Sequence, residues 1–247
     1  MQSPHDYLRL VARWRTVASK AGVPLRRLAR ADGHTLHYLR TPALADTGGI
    51  YMSAAIHGDE PAGSEALITW VEKNVRHLAN LPLLLFPVLN PWGLINNMRA
   101  NADGLDLNRL FHRDEQPVIH AIKRVIAQRE FAVALMLHED YDAEGCYIYE
   151  IKRDQPFWGE ALLRKAGQFL PIDQRIKIDR RSAKAGLIRR RFQRAIFEKM
   201  GFPEAIWLHE FHARRALTFE SPSEFALDQR VRAQLAVIEE CVRLSGF

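Results

Sequence analysis

His57 and Glu60, spaced as His-x-x-Glu, can put an imidazole in a turn and a carboxylate in the first turn of a following helix, close enough to grip one cation together. Two ligands leave such a site incomplete. A third, neutral nitrogen gives the two-histidine, one-carboxylate set that keeps a position open for water, as catalytic zinc requires. His138, at the end of an apolar run, is the natural candidate. His-x-x-Glu alone is a weak motif that arises in many chains. The surroundings decide: Asn90-Pro91-Trp92-Gly93 is followed by Arg99-x-Asn101-x-x-Gly104-x-Asp106-Leu107-Asn108-Arg109, which gathers guanidinium and amide groups into a turn-rich stretch.

These residues need elements to position them. Leu8, Val11, Trp14 and Val17 mark an amphipathic helix near the start, ended by Ala21-Gly22-Val23-Pro24. The apolar run Gly49 to Ile56 predicts a strand leading into His57, and the next helix has Asp59 placed as its cap and Pro61 in its first turn, with Ala66, Leu67, Trp70, Val71, Val75 and Leu78 on its buried face. Leu83 to Leu89, Phe131 to Leu137 and Ala216 to Phe219 predict further strands, stopping at Asn90, His138 and Glu220. Leu227, Val231, Leu235, Ile238 and Val242 stripe a final helix, while Glu150 to Ala185 is weakly patterned and predicts an irregular excursion. Strands alternating with helices imply one α/β domain over residues 1–247, with a mostly parallel mixed sheet covered on both faces and ligands gathered beyond the strands' carboxyl ends.

The ordered set of His57-x-x-Glu60, Asn-Pro-x-Gly, Arg-x-Asn, Asp-Leu-Asn-Arg and a late Phe-Glu-x-Pro resembles the M14 family of zinc carboxypeptidases, in its compact bacterial form, over roughly Gly49 to Phe225. The resemblance implies a zinc-carboxypeptidase-like fold and one Zn2+ held by His57, Glu60 and His138. It implies that Asp106 accepts a hydrogen bond from a ligand histidine, that Arg99 stabilises the oxyanion, that Asn108 and Arg109 hold the substrate's terminal carboxylate, and that Glu220 is the general base. Each role suits its residue type: a guanidinium grips a carboxylate in a planar, bidentate way that an ammonium does not reproduce.

Where the family carries a tyrosine upstream of the base, no tyrosine follows Tyr149 here; Tyr141, Tyr147 or Tyr149 reaches in, a basic side chain substitutes, or the role is absent, and packing is the simpler reading of all three tyrosines. Glu139 and Asp140 read as solvated acids at a strand end. His209-Glu210-Phe211-His212 lacks the spacing of a helical zinc motif, and His112 and His120 read as isolated histidines. The related succinylglutamate desuccinylase and aspartoacylase group shares His-Gly-x-Glu and Asp-Leu-Asn-Arg, and Leu110-Phe111 leans toward it, so an N-acyl amino acid deacylase and a murein peptide amidase remain competing activities.

At 47% hydrophobic and 26% charged, the chain can bury a sizeable core. No apolar stretch is long enough to span a membrane and no leader pattern opens the sequence, so no membrane partner is expected. Two cysteines, Cys146 and Cys241, make neither a disulfide framework nor a cysteine zinc site, and suit a reducing cytoplasm. The net charge of +6 concentrates in Arg175 to Arg194, with nine Lys or Arg against Asp179. That run suggests a remote alternative, a basic nucleic-acid-binding module, but Phe192 is its only interleaved aromatic and no nucleic-acid motif accompanies it. The expectation is a cytoplasmic, monomer-capable hydrolase acting on a peptide or acyl-amino-acid substrate, with no obligate nucleic acid.

Overall fold

Unbroken aliphatic runs become strands covered from both sides, because only there does every side chain escape water. The computed structural model describes residues 3–153, 156–189, 197 and 201–247. Its helices are α1 (Tyr7–Ala21), α2 (Ala62–Lys73), α3 (Pro91–Asn96), α4 (Pro117–Ile126), α5 (Gly159–Ala166), α6 (Glu204–Phe211) and α7 (Leu227–Leu244). The strands are β1 (Leu25–Ala31), β2 (His34–Arg40), β3 (Ile50–Ala54), β4 (Leu83–Phe86), β5 (Val133–Asp140), β6 (Tyr147–Lys152), β7 (Lys177–Ile178), β8 (Arg181–Ser182), β9 (Leu187–Arg189) and β10 (Arg215–Pro222).

Among the described residues, eight strands form one sheet in the order β1-β2-β4-β3-β5-β10-β6-β9, and β7 pairs with β8 in a separate hairpin. The central strands β4, β3, β5 and β10 run parallel, while β2 and β6 join them antiparallel. Odd-numbered strand residues such as Leu135 and Leu217 pack with Trp14, Leu67 and Ile238 from α1, α2 and α7. Even-numbered ones such as Met136 and Ala216, with Tyr51, pack with Ile119, Ile122 and Trp207 from α4 and α6. This is the single α/β domain with helices on both faces that the sequence predicts.

Several local expectations change. Leu8 is 78% exposed, and the buried stripe of α1 is Tyr7, Leu10, Val11, Trp14, Val17 and Ala18, because the helix turns its Tyr7/Trp14 side to the sheet. Asp59 does not cap α2: Pro61 takes the N-cap position with no side-chain bond, and the Ala62 N–H donates to Glu139 Oε1 at 2.7 Å. Glu139 is therefore no solvated acid; it is buried on the face toward α2 and α7 and ion-paired with Arg230. β5 and β10 do not stop before His138 and Glu220 but carry them within the ladder, since their parallel pairing continues from Ala216↔Ala134 to Pro222↔Asp140. Glu150 to Ala185 is less irregular than predicted, for it holds α5 and the β7–β8 hairpin.

The described part of the basic run is dispersed. Arg175 pairs with Asp173 and Arg189 with Glu160, while residues 190–194, Phe192 included, lie outside the described residues. Cys146 and Cys241 are buried free thiols. Among the described residues no helix is long and apolar enough to cross a membrane.

Candidate active site

Strand alternation and register place three side chains in one row. His138 on β5 lies opposite Glu220 on β10, which lies opposite Tyr147 on β6, and all three belong to the even-face set at the carboxyl end of the parallel strands. One residue pair back, Thr218 lies opposite Tyr149. The row thus exists because of pairing, not of any sequence proximity.

His57 and Glu60 arrive from the adjacent strand. β3 ends at Ala54, and Ala55 takes a left-handed conformation (φ 46°) that swings the chain into the His57 loop, an arrangement L-residues adopt only when their surroundings hold them there. The Ala55 carbonyl accepts from Asn90 N–H at 2.8 Å. A Cβ built on Gly58 would lie 1.9 Å from the carbonyl carbon of Gly93, so the two loops cross backbone on backbone. Gly58 thus makes room for the Asn90-Pro91-Trp92-Gly93 loop, while a Cβ on Gly93 would lie 2.4 Å from the Asn90 side-chain nitrogen, so the second glycine makes room for the asparagine of its own turn. Asn90 Oδ1 accepts the Gly93 N–H at 2.9 Å and caps α3.

The three predicted ligands converge. Donor atoms of His57, Glu60 and His138 all lie within 4.8 Å of one another, with all three residues buried. Nδ1 of His57 is 2.6 Å from Glu60 Oε1, and Nδ1 of His138 is 2.8 Å from Glu60 Oε2. The far nitrogen of His57, Nε2, lies 3.2 Å from Asp106 Oδ1. Asp106 thereby fixes which nitrogen carries the proton and leaves Nδ1 turned to the cluster. Two imidazole nitrogens and a carboxylate oxygen around one point are a donor set that fits zinc.

Electrostatics follow from this crowding. Burial alone would lower the His57 pKa, but the Glu60 and Asp106 carboxylates overcome it and raise it to about 9. Burial opposes ionisation of Glu60 too, yet the two histidines hold it well below the usual carboxylate range. Glu220 is pushed up to about 8 by burial, with His138 countering and Glu60 and Asp140 adding to the rise.

A cavity of about 510 Å³ opens over the cluster, lined among others by Arg99, Asn108, Arg109, Tyr147, Tyr149 and Glu220. The Arg99 guanidinium reaches Asp106 Oδ2 at 3.1 Å and Glu60 Oε1 at 3.4 Å, so it borders the metal position. Asn108 Oδ1 accepts from the Glu204 N–H at 2.8 Å, which leaves its NH2 as the group free to donate. Arg109 donates from Nη1 to the Asn108 carbonyl at 3.1 Å and lines the cavity beside Asn108. All eight residues singled out from the sequence thus meet at one place.

Tyr147 and Tyr149 line the cavity instead of merely packing, with hydroxyls donating to Asp140 (2.8 Å) and Asp179 (3.2 Å); Tyr141 is 72% exposed and lies apart. His209 and His212 lie outside the cluster, and His212 Nδ1 donates to the Arg129 carbonyl at 2.9 Å. Gln234 escaped notice in the sequence. Fully buried on α7, it donates to the His138 carbonyl (3.0 Å) and to Ser221 Oγ (2.9 Å), tying together the strand ends that carry His138 and Glu220. Its mid-helix position between Ala233 and Leu235 within an apolar stretch was the available signal.

Residues 46–148 match the family model of the succinylglutamate desuccinylase/aspartoacylase catalytic domain. The whole chain is similar in fold to a proposed metallopeptidase from Shewanella amazonensis, with 24% identity over 98% of this chain and 94% of that one and a TM-score of 0.82. It is similar as well to a metallo-carboxypeptidase from Burkholderia cenocepacia (16% identity, 96% and 68% covered, TM-score 0.71). A murein-tripeptide amidase from Escherichia coli O157 shares the fold (18% identity, 91% and 95% covered, TM-score 0.60). At these identities the structural likeness is one of fold. No curated relative matches the chain.

Proposed function

We propose that this protein is a zinc-dependent carboxypeptidase, hydrolysing the amide bond that joins a C-terminal amino acid to the rest of a peptide. The observation that carries the reading is the row of His138 and Glu220 in register beside His57 and Glu60, with a cation-ready cluster on one side and the buried Glu220 carboxyl on the other. His57, Glu60 and His138 would hold the zinc, which would supply Lewis-acid chemistry and make water acidic enough to be deprotonated near neutral pH. Glu220 takes a proton from the attacking water and delivers it to the leaving nitrogen. Arg99, bordering the cluster, offers its N–H groups to the oxygen that gains charge as the carbonyl becomes tetrahedral. Asn108 NH2 and the Arg109 guanidinium grip the terminal carboxylate, which restricts cleavage to the chain end.

The match of residues 46–148 to a deacylase family favours a second reading, in which the same machinery releases an amino acid from an N-acyl group. Both cleave an amide next to a free carboxylate. Hydrolysis of blocked dipeptides, acyl-amino acids and murein tripeptide by the zinc-loaded protein separates them: the carboxypeptidase reading expects kcat/KM highest for blocked dipeptides, and a clear preference for either other class overturns it.

A further inference from the structure

The Asn108–Arg109 pair does not hold its own shape. It lies in a short 3-10 turn, Leu107–Arg109, whose neighbours come from about ninety residues later in the chain. Gly201 (φ 83°) lies so close that a Cβ there would be 2.3 Å from the Arg109 carbonyl oxygen. Phe202 bridges Leu110, and its carbonyl accepts the Phe111 N–H at 3.1 Å. Glu204 then opens α6 with a first-turn N–H that has no partner in its own helix, and that N–H donates to Asn108 Oδ1. An N–H donor fixes the amide's orientation, since only the oxygen can accept. The Asn108 NH2 is therefore compelled to face the cavity as a donor.

What fixes Glu204 is the second half of the device. Its side chain is fully buried and turns under the site, where Oε1 accepts from the hydroxyl of Tyr51. Tyr51 is itself fully buried as the second residue of β3, packed against Phe86 and Phe131, on the strand that leads directly to His57. A buried phenol costs free energy unless its O–H finds an acceptor, and Glu204 Oε1 supplies one, while Oε2 of the same carboxyl has no hydrogen-bond partner among the described residues, so the carboxyl is held through Oε1. That bond pins the first turn of α6 to the strand that delivers the metal ligand.

We propose that Tyr51 and Glu204 are positioning residues that hold the Asn108 amide donor at a fixed distance from the metal cluster, setting the enzyme's affinity for a free terminal carboxylate. Neither side chain lines the cavity, and neither touches substrate in this scheme. The inference rests on the reading of Asn108 and Arg109 as the carboxylate grip, and it fits peptide and acyl-amino-acid substrates alike because both end in that group.

The test uses zinc-loaded Glu220→Gln protein, where turnover is slowed enough for binding to be read, and calorimetric Kd values for benzoylglycyl dipeptides ending in Phe, Arg or Glu, each as free acid and as amide. Tyr51→Phe removes one hydroxyl and keeps the ring packed; it should weaken binding of the free acids by about fivefold, the scale of one hydrogen bond, and leave the amides and the zinc content unchanged. Glu204→Met should do the same, and the double variant should bind no more weakly than either single one, as coupled residues do. Equal weakening of acids and amides, no change in Tyr51→Phe, or additive losses would overturn the proposal; if Glu204→Met does not fold, Tyr51→Phe decides alone. Arg109→Ala serves as the reference for the underlying reading. Where it lowers acid affinity selectively and Tyr51→Phe does not, only the positioning role fails; where it shows no selectivity, or no free acid binds, the grip itself fails and the positioning role with it.

Discussion

Glu220 and His57 show how neighbours set the chemistry of a side chain. Glu220→Gln keeps the cavity's shape and leaves the three ligands in place, so the variant should bind zinc normally while kcat falls by roughly 10²- to 10⁴-fold, the range of general-base catalysis. Near-normal turnover would remove Glu220 from the mechanism. His57 is raised to about 9 without metal, hence protonated at neutral pH, and a metal needs its Nδ1 free. Zinc uptake should therefore release protons, and zinc affinity should climb as pH rises from 6.5 toward 9. Titration in buffers of different ionisation enthalpy reads the proton count; uptake without proton release would contradict the cluster's electrostatics. Arg109→Ala should raise KM for substrates with a free terminal carboxylate far more than for amidated ones.

At the scale of elements, the site is a meeting of strand ends braced from behind. Glu139 caps α2 and pairs with Arg230 of α7, both largely buried. Burial lifts Glu139 to about 7 in spite of Arg230, so Arg230→Ala raises it further, and above pH 7, where the parent holds an ion pair, the variant must either bury an unpaired charge or keep the acid protonated. The loss of stability should be largest near pH 8, about 3 kcal/mol, and shrink on acidification, as thermal melts across pH would show. Gly58→Ala drives a methyl into the Gly93 backbone and should cost at least about 1 to 3 kcal/mol while loosening zinc binding. A variant as stable and as zinc-tight as the parent would argue that the two loops do not cross as described. The core strands were legible because β3, β4, β5 and β10 are aliphatic runs with abrupt polar ends. The cap of α2 was not: Asp59 has the right type and a nearby position, but the donor it was assigned to finds an acid on another strand, a tertiary choice no local pattern encodes.

For the molecule as a whole, the residues that converge at the cavity were more legible in the sequence than the residues that hold them there. His57, Glu60, His138, Asp106, Arg99, Asn108, Arg109 and Glu220 carry recognisable types at recognisable spacings, and they converge. Tyr51, Gly201 and Glu204 carry no such signal, because a buried bracket is defined by its partner and not by its neighbours in the chain. Tyr147 and Tyr149 fall between: period-two alternation in β6 could place both on one face, but only the pairing with β10 sets that face beside Glu220. The fold is shared with the Burkholderia cenocepacia carboxypeptidase and the Escherichia coli amidase alike, and the cavity wall of this chain includes Tyr147, Tyr149, Asp179 and Arg181.

Zinc K-edge absorption spectroscopy on the chain loaded with one equivalent of zinc bears most directly on the metal centre. Two nitrogen neighbours at about 2.0–2.1 Å beside oxygen ligands are expected, with the imidazole signal halved in His138→Gln. A sulfur ligand, an all-oxygen shell, or a spectrum unmoved by His138→Gln would show that His57, Glu60 and His138 do not hold the ion together.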